Sequence, residues 1–340
     1  MQRALRLARR GWGRTSPNPM VGAVVVGRKD ELLGEGYHQR VGGPHAEVHA
    51  LEAAGAGARG ATLYVSLEPC STAGRTPPCT DAIIRAGIGR VVIACPDPNP
   101  KHAGRAVHLL KEKGIDTTIG VCQEAAETLN EAFFVWIRQR RPFVLLKMAM
   151  TLDGKIATAG GDSKWVTGEK ARRHVQKLRR WADAVLVGGE TVRQDDPALT
   201  VRTPRNWARQ PRKLVWTRTA MSGAELAIFA DPGNPPEFIH PASSAQWKAQ
   251  LAELGRQDVV ALLIEGGGEL AAACIRAGIV DKVAFFVAPK ILGGRDSRPA
   301  VGGHSPSVMA DALPLTDTCV RRIGDDFLLT GYLNNVYRID

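Results

Sequence analysis

One histidine, one glutamate and two cysteines that together could hold and use a metal ion lie between residues 44 and 79. His45 and Glu47 come first, and Cys70 and Cys79 follow, each directly after a proline. Imidazole and thiolate are ligands that Zn²⁺ prefers, and three protein ligands leave a fourth tetrahedral position open, as catalytic zinc requires. Glu47, two residues beyond His45, would carry protons for the water that such a zinc activates.

The order His-x-Glu, then Pro-Cys, then a second Cys is typical of zinc deaminases, in which the glutamate is not a ligand. Two other interpretations remain open, a structural zinc site and a coincidence of residue types. His49 is a second candidate ligand, one helical turn beyond His45. The His-x-Glu spacing favours His45 and leaves His49 to packing or to a supporting contact.

Predicted elements would bring these side chains together. Residues 62–67 are β-branched and aromatic, which favours a strand that delivers Cys70 at its end. Residues 46–54 are strong helix formers after Pro44, and residues 80–87 predict a second helix that starts beside Cys79 and ends at a glycine. A thiolate at a helix start is stabilised by the helix dipole.

Composition indicates a globular protein, and we expect neither a signal peptide nor a transmembrane helix. Its 340 residues suggest about two domains, and 44% hydrophobic with 23% charged residues is ordinary. Six irregularly spaced cysteines do not form a disulfide framework, and we expect a reducing cytoplasm. Residues 1–10 lack the apolar core of a signal peptide, and no apolar run approaches ~18 residues. The net charge of +11 favours anionic partners, and scattered arginines favour small phosphates over nucleic acid.

The first half of the chain alternates strands with helices, which predicts a three-layer α/β domain with a partly parallel sheet. A charged segment at residues 138–142 ends this series, and we place the domain boundary after residue 141. Outside the region around the cysteines, the predicted helices are 2–12, 103–113 and one continuous helix from Ala125 to Trp136, and the predicted strands are 21–26, 32–37, 91–95 and 116–121.

A second α/β series begins with a strand at residues 143–150. Further strands are predicted at 184–189, 259–264 and 283–287, with a basic helix at 168–182 and a turn at 195–197. Residues 203–241 are rich in proline and glycine, and the only element predicted there is a strand at residues 213–217. Gly266, Gly267 and Gly268 join a buried strand to a helix, which suits phosphate binding at the helix start. A tight strand-to-helix turn explains these glycines about as well.

Together these residues resemble the family of bifunctional riboflavin-biosynthesis deaminase/reductases over nearly the whole chain. Eight residues separate Cys70 from Cys79, whereas deaminases of cytidine, tRNA and nucleic acids have Cys-x-x-Cys. The first half carries Ser16-Pro17-Asn18-Pro19, Pro44-His45-Ala46-Glu47, Leu67-Glu68-Pro69-Cys70, Gly74-Arg75-Thr76-Pro77-Pro78-Cys79 and Asp97-Pro98-Asn99-Pro100. The second half carries Lys147, Leu152-Asp153-Gly154-Lys155, residues 161–167, residues 195–202 and Glu265-Gly266-Gly267.

The resemblance implies an N-terminal cytidine-deaminase-like domain in residues 1–141 and a C-terminal dihydrofolate-reductase-like α/β domain in residues 142–340. It implies Zn²⁺ and NADPH as cofactors. The first reaction would remove an amino group from 2,5-diamino-6-(5-phosphoribosylamino)pyrimidin-4-one, and the second would reduce the ribosyl group to ribityl. The expected partner is therefore a small phosphorylated pyrimidine, with no nucleic acid and no membrane, and we expect a homo-oligomer.

Site residues follow from the same resemblance. His45, Cys70 and Cys79 would bind zinc, and Glu47 would be catalytic. The positions that bind the nicotinamide cofactor in the family correspond to Ala149, Trp165, Thr191, Asp195, Arg218, Gly267, Gly268, Glu269, Leu270, Ala271, Ala272 and Ala273. Those that bind substrate correspond to Ser163, Arg179, Leu199, Arg202 and Glu265. Guanidinium groups also suit a phosphate on chemical grounds.

Two residues depart from the family pattern. Thr72 replaces a histidine that lies near the deaminase substrate, and Arg218 replaces a small polar residue at a cofactor-binding position. Two alternative functions also remain. The charge of +11 is compatible with a zinc-stabilised nucleic-acid-binding module, and the zinc signature with a nucleoside or tRNA deaminase fused to a redundant domain.

Overall fold

The chain forms two compact units, Met1–Gln139 and Arg140–Asp340. The structure is a computed structural model that describes residues 1–72, 77–100, 102–219, 221 and 225–334. Gly74, Arg75 and Thr76 of the family motif lie outside the described residues. Within the described part of the chain, the helices are too short or too polar to cross a membrane.

The first unit is built on a five-stranded sheet in the order β2-β1-β3-β4-β5. Strand β1 runs antiparallel to both neighbours, whereas β3, β4 and β5 are parallel. The strands are β1 (Gly22–Val26), β2 (Leu32–Tyr37), β3 (Thr62–Val65), β4 (Arg90–Ile93) and β5 (Asp116–Ile119). The helices are α1 (Gln2–Ala8), α2 (Ala46–Ala54), α3 (Cys79–Ala86), α4 (Arg105–Glu112), α5 (Gln123–Leu129) and α6 (Glu131–Gln139).

Alternate residues of the strands face two helical layers, because side chains along a strand point to opposite faces. Ala23 and Val25 pack in a cluster with residues of α2, α3 and α4. Val24, between them, packs with Ala4 and Leu7 of α1. The predicted three-layer arrangement is therefore confirmed.

The predicted continuous helix from Ala125 to Trp136 is wrong, because the chain breaks into α5 and α6 at Asn130. Asn130 is buried, and its side chain bonds both backbone groups of Met20: Oδ1 accepts from the amide at 2.8 Å, and Nδ2 donates to the carbonyl at 2.9 Å. This contact spans 110 residues, so no local pattern in the sequence could reveal it.

The second unit is built on an eight-stranded sheet in the order β10-β9-β8-β11-β6-β12-β15-β14. The first six strands in this order are parallel to one another. Strand β15 runs antiparallel to β12, and β14 runs antiparallel to β15. The strands of this sheet are β6 (Phe143–Thr151), β8 (Ala184–Gly188), β9 (Arg212–Trp216), β10 (Glu237–Ile239), β11 (Ala261–Glu265), β12 (Lys282–Ala288), β14 (Thr316–Ile323) and β15 (Asp326–Tyr332). A separate pair consists of β7 (Lys155–Ala157) and β13 (Arg298–Pro299).

Helices cover both faces of this sheet. The helices of the unit are α7 (Glu169–Trp181), α8 (Gly189–Asp195), α9 (Ser244–Arg256) and α10 (Gly268–Arg276). Leu146 and Ile264 pack on one face with side chains of α9 and α10. On the other face, Trp181 of α7 meets Phe143 with ring centroids 6.0 Å apart.

The described part of residues 203–241 contains β9, which confirms the strand predicted at residues 213–217, and also β10 and a short 3₁₀ turn, Ala227–Phe229, which were not predicted. Helix α9 and strands β14 and β15 were also missed. Strand β14 is exposed almost throughout, so it lacks the apolar alternation on which a strand prediction depends.

Candidate active sites

Two helix starts and one loop bring His45, Cys70 and Cys79 together in the first unit. His45 is the N-cap of α2, Cys79 is the first residue of α3, and Cys70 lies in the loop after β3. His45 Nδ1 lies 3.2 Å from Cys79 Sγ and 3.5 Å from Cys70 Sγ, and all three donor atoms lie within 4.8 Å of one another. With zinc bonds of 2.0–2.3 Å, ligand atoms at the corners of a tetrahedron are roughly 3.5 Å apart, so this donor set fits zinc.

The contacts of Cys70 favour its thiolate form. The contact with Cys79, followed by that with His45, lowers the pKa of Cys70 although burial opposes it. The same contact raises the pKa of Cys79. The backbone amide of Cys79 also donates to Cys70 Sγ at 3.2 Å, so the start of α3 stabilises the Cys70 thiolate.

Glu47 lies in the first turn of α2 and is only 3% exposed. Burial, followed by the nearby Cys70 thiolate, raises its pKa. Its Oε2 atom is buried without a hydrogen-bond partner among the described residues. Buried polar atoms are normally paired, so this oxygen needs a partner that the described residues do not supply. That is the second observation that fits a metal with its own water.

His49, the alternative ligand, does not join this cluster in the structure. Its Nδ1 lies 4.0 Å from Glu52 Oε2. Its Cβ packs closely against Gly36, since a Cβ added to that glycine would lie only 2.5 Å from the Cβ of His49. Thr72 lies in the loop that carries Cys70 and is partly buried.

His38 is a residue near this cluster that the sequence analysis missed. It is buried, and its ring meets the His45 ring edge-on with centroids 5.3 Å apart. Nδ1 must donate to the Pro44 carbonyl at 3.1 Å, so Nε2 is the acceptor for Asn18 Nδ2 at 3.2 Å. Burial lowers the pKa of His38 and keeps it neutral. The chain Asn18–His38–Pro44 thus fixes the backbone that precedes His45.

A cleft of about 1510 Å³ opens in the second unit. It lies at the carboxyl ends of the parallel strands β6, β8, β9 and β11, where ligands of open α/β sheets bind. Its charged lining residues comprise nine lysines and arginines against five aspartates and glutamates. The lining therefore has a net charge of plus four, which favours an anionic ligand.

Lys147, Glu265 and Arg179 form a buried charge cluster in this cleft. Glu265 ends β11 and is in register with Lys147 on β6. Arg179 donates from Nε to Glu265 Oε1 at 2.6 Å and from Nη2 to Oε2 at 3.1 Å, and Lys147 Nζ lies 3.8 Å from Oε2. Although burial alone would raise it, the charges of Arg179 and Lys147 lower the pKa of Glu265. Burial lowers the pKa of Lys147.

The three glycines lie beside this cluster at the start of α10. Gly267 is the N-cap, and a Cβ on Gly268 would lie 2.4 Å from the Pro299 carbonyl oxygen. Gly268 is therefore required by the close approach of another backbone segment. The first amides of α10 have no intrahelical acceptor, and the cleft reaches them.

Fifteen of the seventeen cofactor and substrate positions predicted for this half line the cleft; Ala271 and Ala272 do not. Both alanines are buried: Ala271 belongs to the hydrophobic core cluster of this unit, whereas the Cβ of Ala272 lies 3.1 Å from the position that a Cβ on Gly303 would take. Ser163 Oγ donates to Asp195 Oδ1 at 2.9 Å. Trp165 is 65% exposed and stacks under the Arg172 guanidinium at 4.4 Å. Lys147 was missed as a site residue, although a lysine inside an otherwise apolar strand was a signal for it.

The fold and the two sites together define a class of protein, a zinc-type deaminase joined to an α/β reductase. Family models agree: "Cytidine and deoxycytidylate deaminase zinc-binding region" matches residues 1–95, and "RibD C-terminal domain" matches residues 142–329. The riboflavin biosynthesis protein RibD of Synechocystis sp. is 42% identical, covering 98% of this chain and 95% of that protein.

Two solved structures are similar over almost the full length. RibD of Acinetobacter baumannii superposes with a TM-score of 0.89 at 38% identity, with 97% of each chain covered. A Thermotoga maritima diaminohydroxyphosphoribosylaminopyrimidine deaminase/5-amino-6-(5-phosphoribosylamino)uracil reductase gives 0.87 at 37% identity, covering 98% of this chain and 97% of that one.

The chain belongs to the RibD family of bifunctional deaminase/reductases of riboflavin biosynthesis. Its first domain is a zinc-binding deaminase domain of the cytidine-deaminase type, and its second is an NADPH-using reductase domain with the dihydrofolate-reductase-like fold.

Proposed function

We propose that the first site deaminates the diaminopyrimidine phosphate and that the second site then reduces the ribosyl group of the product. The observation that carries this proposal is the presence in one chain of the His45–Cys70–Cys79 cluster beside a buried acid and of a separate cationic cleft. The domain boundary after residue 141 remains a prediction about where the two activities separate.

In the deaminase site, His45, Cys70 and Cys79 would hold zinc, which when bound makes water a strong nucleophile near neutral pH. Glu47 would take a proton from that water and deliver it to the departing amino nitrogen, which leaves as ammonia. Its raised pKa suits both steps, because an acid–base group works best when its pKa is near the working pH. The protein backbone and His38 would keep this carboxyl and His45 in place.

In the reductase site, the amides at the start of α10 would bind the pyrophosphate of NADPH, which supplies the hydride. Arg218 at the end of β9 and Thr191 on α8 also face the cleft. Reduction of the ribosylamino group to ribitylamino would break the bond between C1′ and the ring oxygen, so that C1′ gains a hydride and the ring oxygen needs a proton to become a hydroxyl group. We assign that proton to Lys147, because burial lowers its pKa while Glu265 keeps it charged and directed.

Arg202 is the better candidate for the substrate phosphate than Arg179. Arg179 is almost buried and is committed to Glu265 and to the Thr200 carbonyl. Arg202 is exposed at the cleft, and its backbone amide is held by Gln176 Oε1 at 2.7 Å. We therefore assign phosphate binding to Arg202, and to Arg179 the placing of Glu265 near the substrate.

We further propose a homo-oligomer in a reducing cytoplasm, with no nucleic-acid partner. All six cysteines are free, and two of them must be thiolates. Strand β14 is an exposed edge on which Val320 is 63% exposed, and uncovered edges of this kind favour pairing with another chain. Nine lysines and arginines line the cleft, where they suit a small phosphorylated ligand.

The test is turnover by the purified, zinc-loaded protein. With the diaminopyrimidine phosphate alone, ammonia and the deaminated product should accumulate. With NADPH added, the ribityl product should appear with one NADPH oxidised per molecule. Deamination without NADPH oxidation would contradict the reductase assignment, and NADPH oxidation that requires no prior deamination would contradict the order of the steps.

A further inference from the structure

Glu68 is a buried carboxylate two residues before Cys70 that the assigned chemistry does not use. It is 4% exposed. Its oxygens accept three backbone hydrogen bonds: Oε2 from Asp97 at 3.1 Å and from Gly104 at 3.0 Å, and Oε1 from Ala106 at 3.2 Å. All three donors belong to residues 97–100 and 102–106, which are together called the 97–106 segment here.

This segment lies at the same edge of the sheet as the zinc ligand. Strands β3 and β4 are parallel, with Val65 opposite Ile93. Their pairing continues beyond the strands. The backbone amide of Ala94 donates to the Val65 carbonyl, and the backbone amide of Glu68 donates to the Cys95 carbonyl, each at 3.0 Å. The loop that carries Cys70 and the 97–106 segment therefore leave the sheet side by side, at the carboxyl edge where substrates of such sheets bind.

Burial of a carboxylate is costly unless its oxygens are satisfied. Among the described residues, the structure records no lysine or arginine paired with Glu68, so its interactions are those with backbone amides. One of these amides, that of Ala106, lies in the first turn of α4. A residue needed only for packing would be better apolar, so the three bonds indicate that Glu68 fixes one segment against another.

We propose that Glu68 is a positioning residue for deamination: it fixes the 97–106 segment relative to Cys70, so that this segment forms a wall of the substrate site at a set distance from the metal. The proposal rests on the deaminase function assigned above. It does not place Glu68 in contact with substrate or metal, and it assigns the binding surface to the segment that Glu68 holds.

Two variants and a control separate this role from a general structural one. Glu68→Ala removes all three acceptors. Glu68→Gln keeps one oxygen, which can serve the amides of Asp97 and Gly104, but places an NH₂ group against Ala106. The control is Glu112→Ala, at the exposed end of α4, where the glutamate contacts His108. Each full-length protein is assayed for zinc content, for amide hydrogen exchange, for deamination, and for reduction of separately supplied deaminated intermediate.

We expect Glu68→Ala to bind one zinc per chain and to reduce the intermediate at the normal rate. The amides of Asp97, Gly104 and Ala106 should exchange faster, and KM for deamination should rise about tenfold or more, with a smaller fall in kcat, because charge-assisted bonds are lost at the wall rather than at the metal. Glu68→Gln should lie between Glu68→Ala and the unchanged protein, and Glu112→Ala should match the latter.

Several results would overturn the proposal. Normal deamination kinetics in Glu68→Ala, with faster exchange in the segment, would show that the wall does not need fixing. Loss of zinc in Glu68→Gln would place the effect at the metal site, and equal impairment of Glu68→Gln and Glu68→Ala would show that the bonds to the Asp97 and Gly104 amides, which glutamine can keep, do not position the segment. If Glu68→Ala does not fold, Glu68→Gln provides the test. A normal KM for deamination together with faster exchange of the Ala106 amide would then overturn the proposal. Absence of deamination in the unchanged protein would instead refute the proposed function.

Discussion

Glu47 and Lys147 are buried ionisable side chains, an acid in the first unit and a base in the second. Burial moves the pKa of each toward neutral pH. It raises that of Glu47 and lowers that of Lys147. Each therefore exchanges a proton more readily at neutral pH than it would in water. The two proposed reactions need this property, because one moves a proton to nitrogen and the other moves a proton to oxygen.

Replacing Glu47 with glutamine should abolish deamination and leave zinc in place. The amide cannot carry a proton between water and the leaving nitrogen, whereas the three ligand atoms do not depend on it. Cys79→Ser is the comparison, and it should lose zinc as well as activity because thiolate is the better ligand. Metal analysis and ammonia release from both variants decide this. Normal deamination by Glu47→Gln would remove the role assigned to that carboxyl.

Reduction should slow as pH rises through the lowered pKa of Lys147, because only the protonated amine can donate. If the group had to be deprotonated instead, reduction would become faster as pH rises. The direction of the pH profile therefore distinguishes a proton donor from a proton acceptor. In Lys147→Met, kcat for reduction should fall strongly and lose this alkaline dependence, while deamination by the same protein stays normal. A pH profile of reduction that is unchanged in Lys147→Met would assign the proton to another group.

Arg202→Ala should impair reduction without weakening NADPH binding. A charge-assisted hydrogen bond contributes roughly 1.5–3 kcal/mol, so kcat/KM should fall about ten- to over a hundredfold. Arg205, an exposed arginine three residues later that does not line the cleft, provides the matched control as Arg205→Ala. If both variants reduce the intermediate normally, Arg202 is a surface charge and the substrate phosphate binds elsewhere.

Residue types and spacing predicted the metal cluster because each ligand follows a proline and two of them, His45 and Cys79, lie at helix starts, which are local features. Spacing could not reveal His38, whose role depends on the Pro44 carbonyl and the Asn18 amide. Nor could it reveal that Arg179 is bound to Glu265, 86 residues away. The contact between Arg179 and Glu265 is set by the packing of α7 on β11 rather than by neighbouring sequence. The residue roles in both sites stay predictions until the variants are measured.

At the scale of elements, the start of α10 depends on Gly268. A Cβ there would lie 2.4 Å from the Pro299 carbonyl oxygen and 3.1 Å from the Gly302 amide, so α10 or the segment around Pro299 must shift. Overpacking of this kind costs about 1–3 kcal/mol. Gly268→Ala should therefore lower the stability of the second unit and weaken NADPH binding, measured by thermal unfolding and by cofactor titration.

Gly267→Ala is the control for this prediction. A Cβ on Gly267 would approach the protein no closer than 3.7 Å, at Thr191 Oγ1, so the unliganded fold should accept it. Thermal stability should then be nearly unchanged, and any loss of NADPH affinity would report the approach of the cofactor to this backbone. Equal destabilisation by both alanines would contradict the steric account of Gly268.

Elements with a regular apolar pattern were predicted within a few residues, as for α2 and the buried strands of the second unit. Elements without one were missed. Strand β14 is exposed on both faces, and the break between α5 and α6 depends on the bonds of Asn130 to Met20. Local patterns therefore indicated the parallel sheet that positions the cleft, but not the antiparallel edge that follows it.

At the scale of the whole molecule, each unit has its own core and its own site. The hydrophobic clusters of the first unit consist of its own side chains, among them Leu63, Ile83 and Phe134. The cluster beneath the cleft uses side chains of the second unit, among them Leu146, Ile264 and Leu270. A unit with its own core is expected to fold independently.

Residues 1–141 alone should fold, bind one zinc per chain and deaminate the diaminopyrimidine phosphate, because they contain the three ligands, Glu47, Glu68 and the cores that hold them. Residues 142–340 alone should reduce the deaminated intermediate with NADPH. Circular dichroism, metal analysis and the two assays on separate fragments test this. If the first fragment is folded and zinc-loaded yet inactive while the full chain deaminates, the deaminase site requires the second unit or a second copy of the chain, and the two activities are not separable at residue 141.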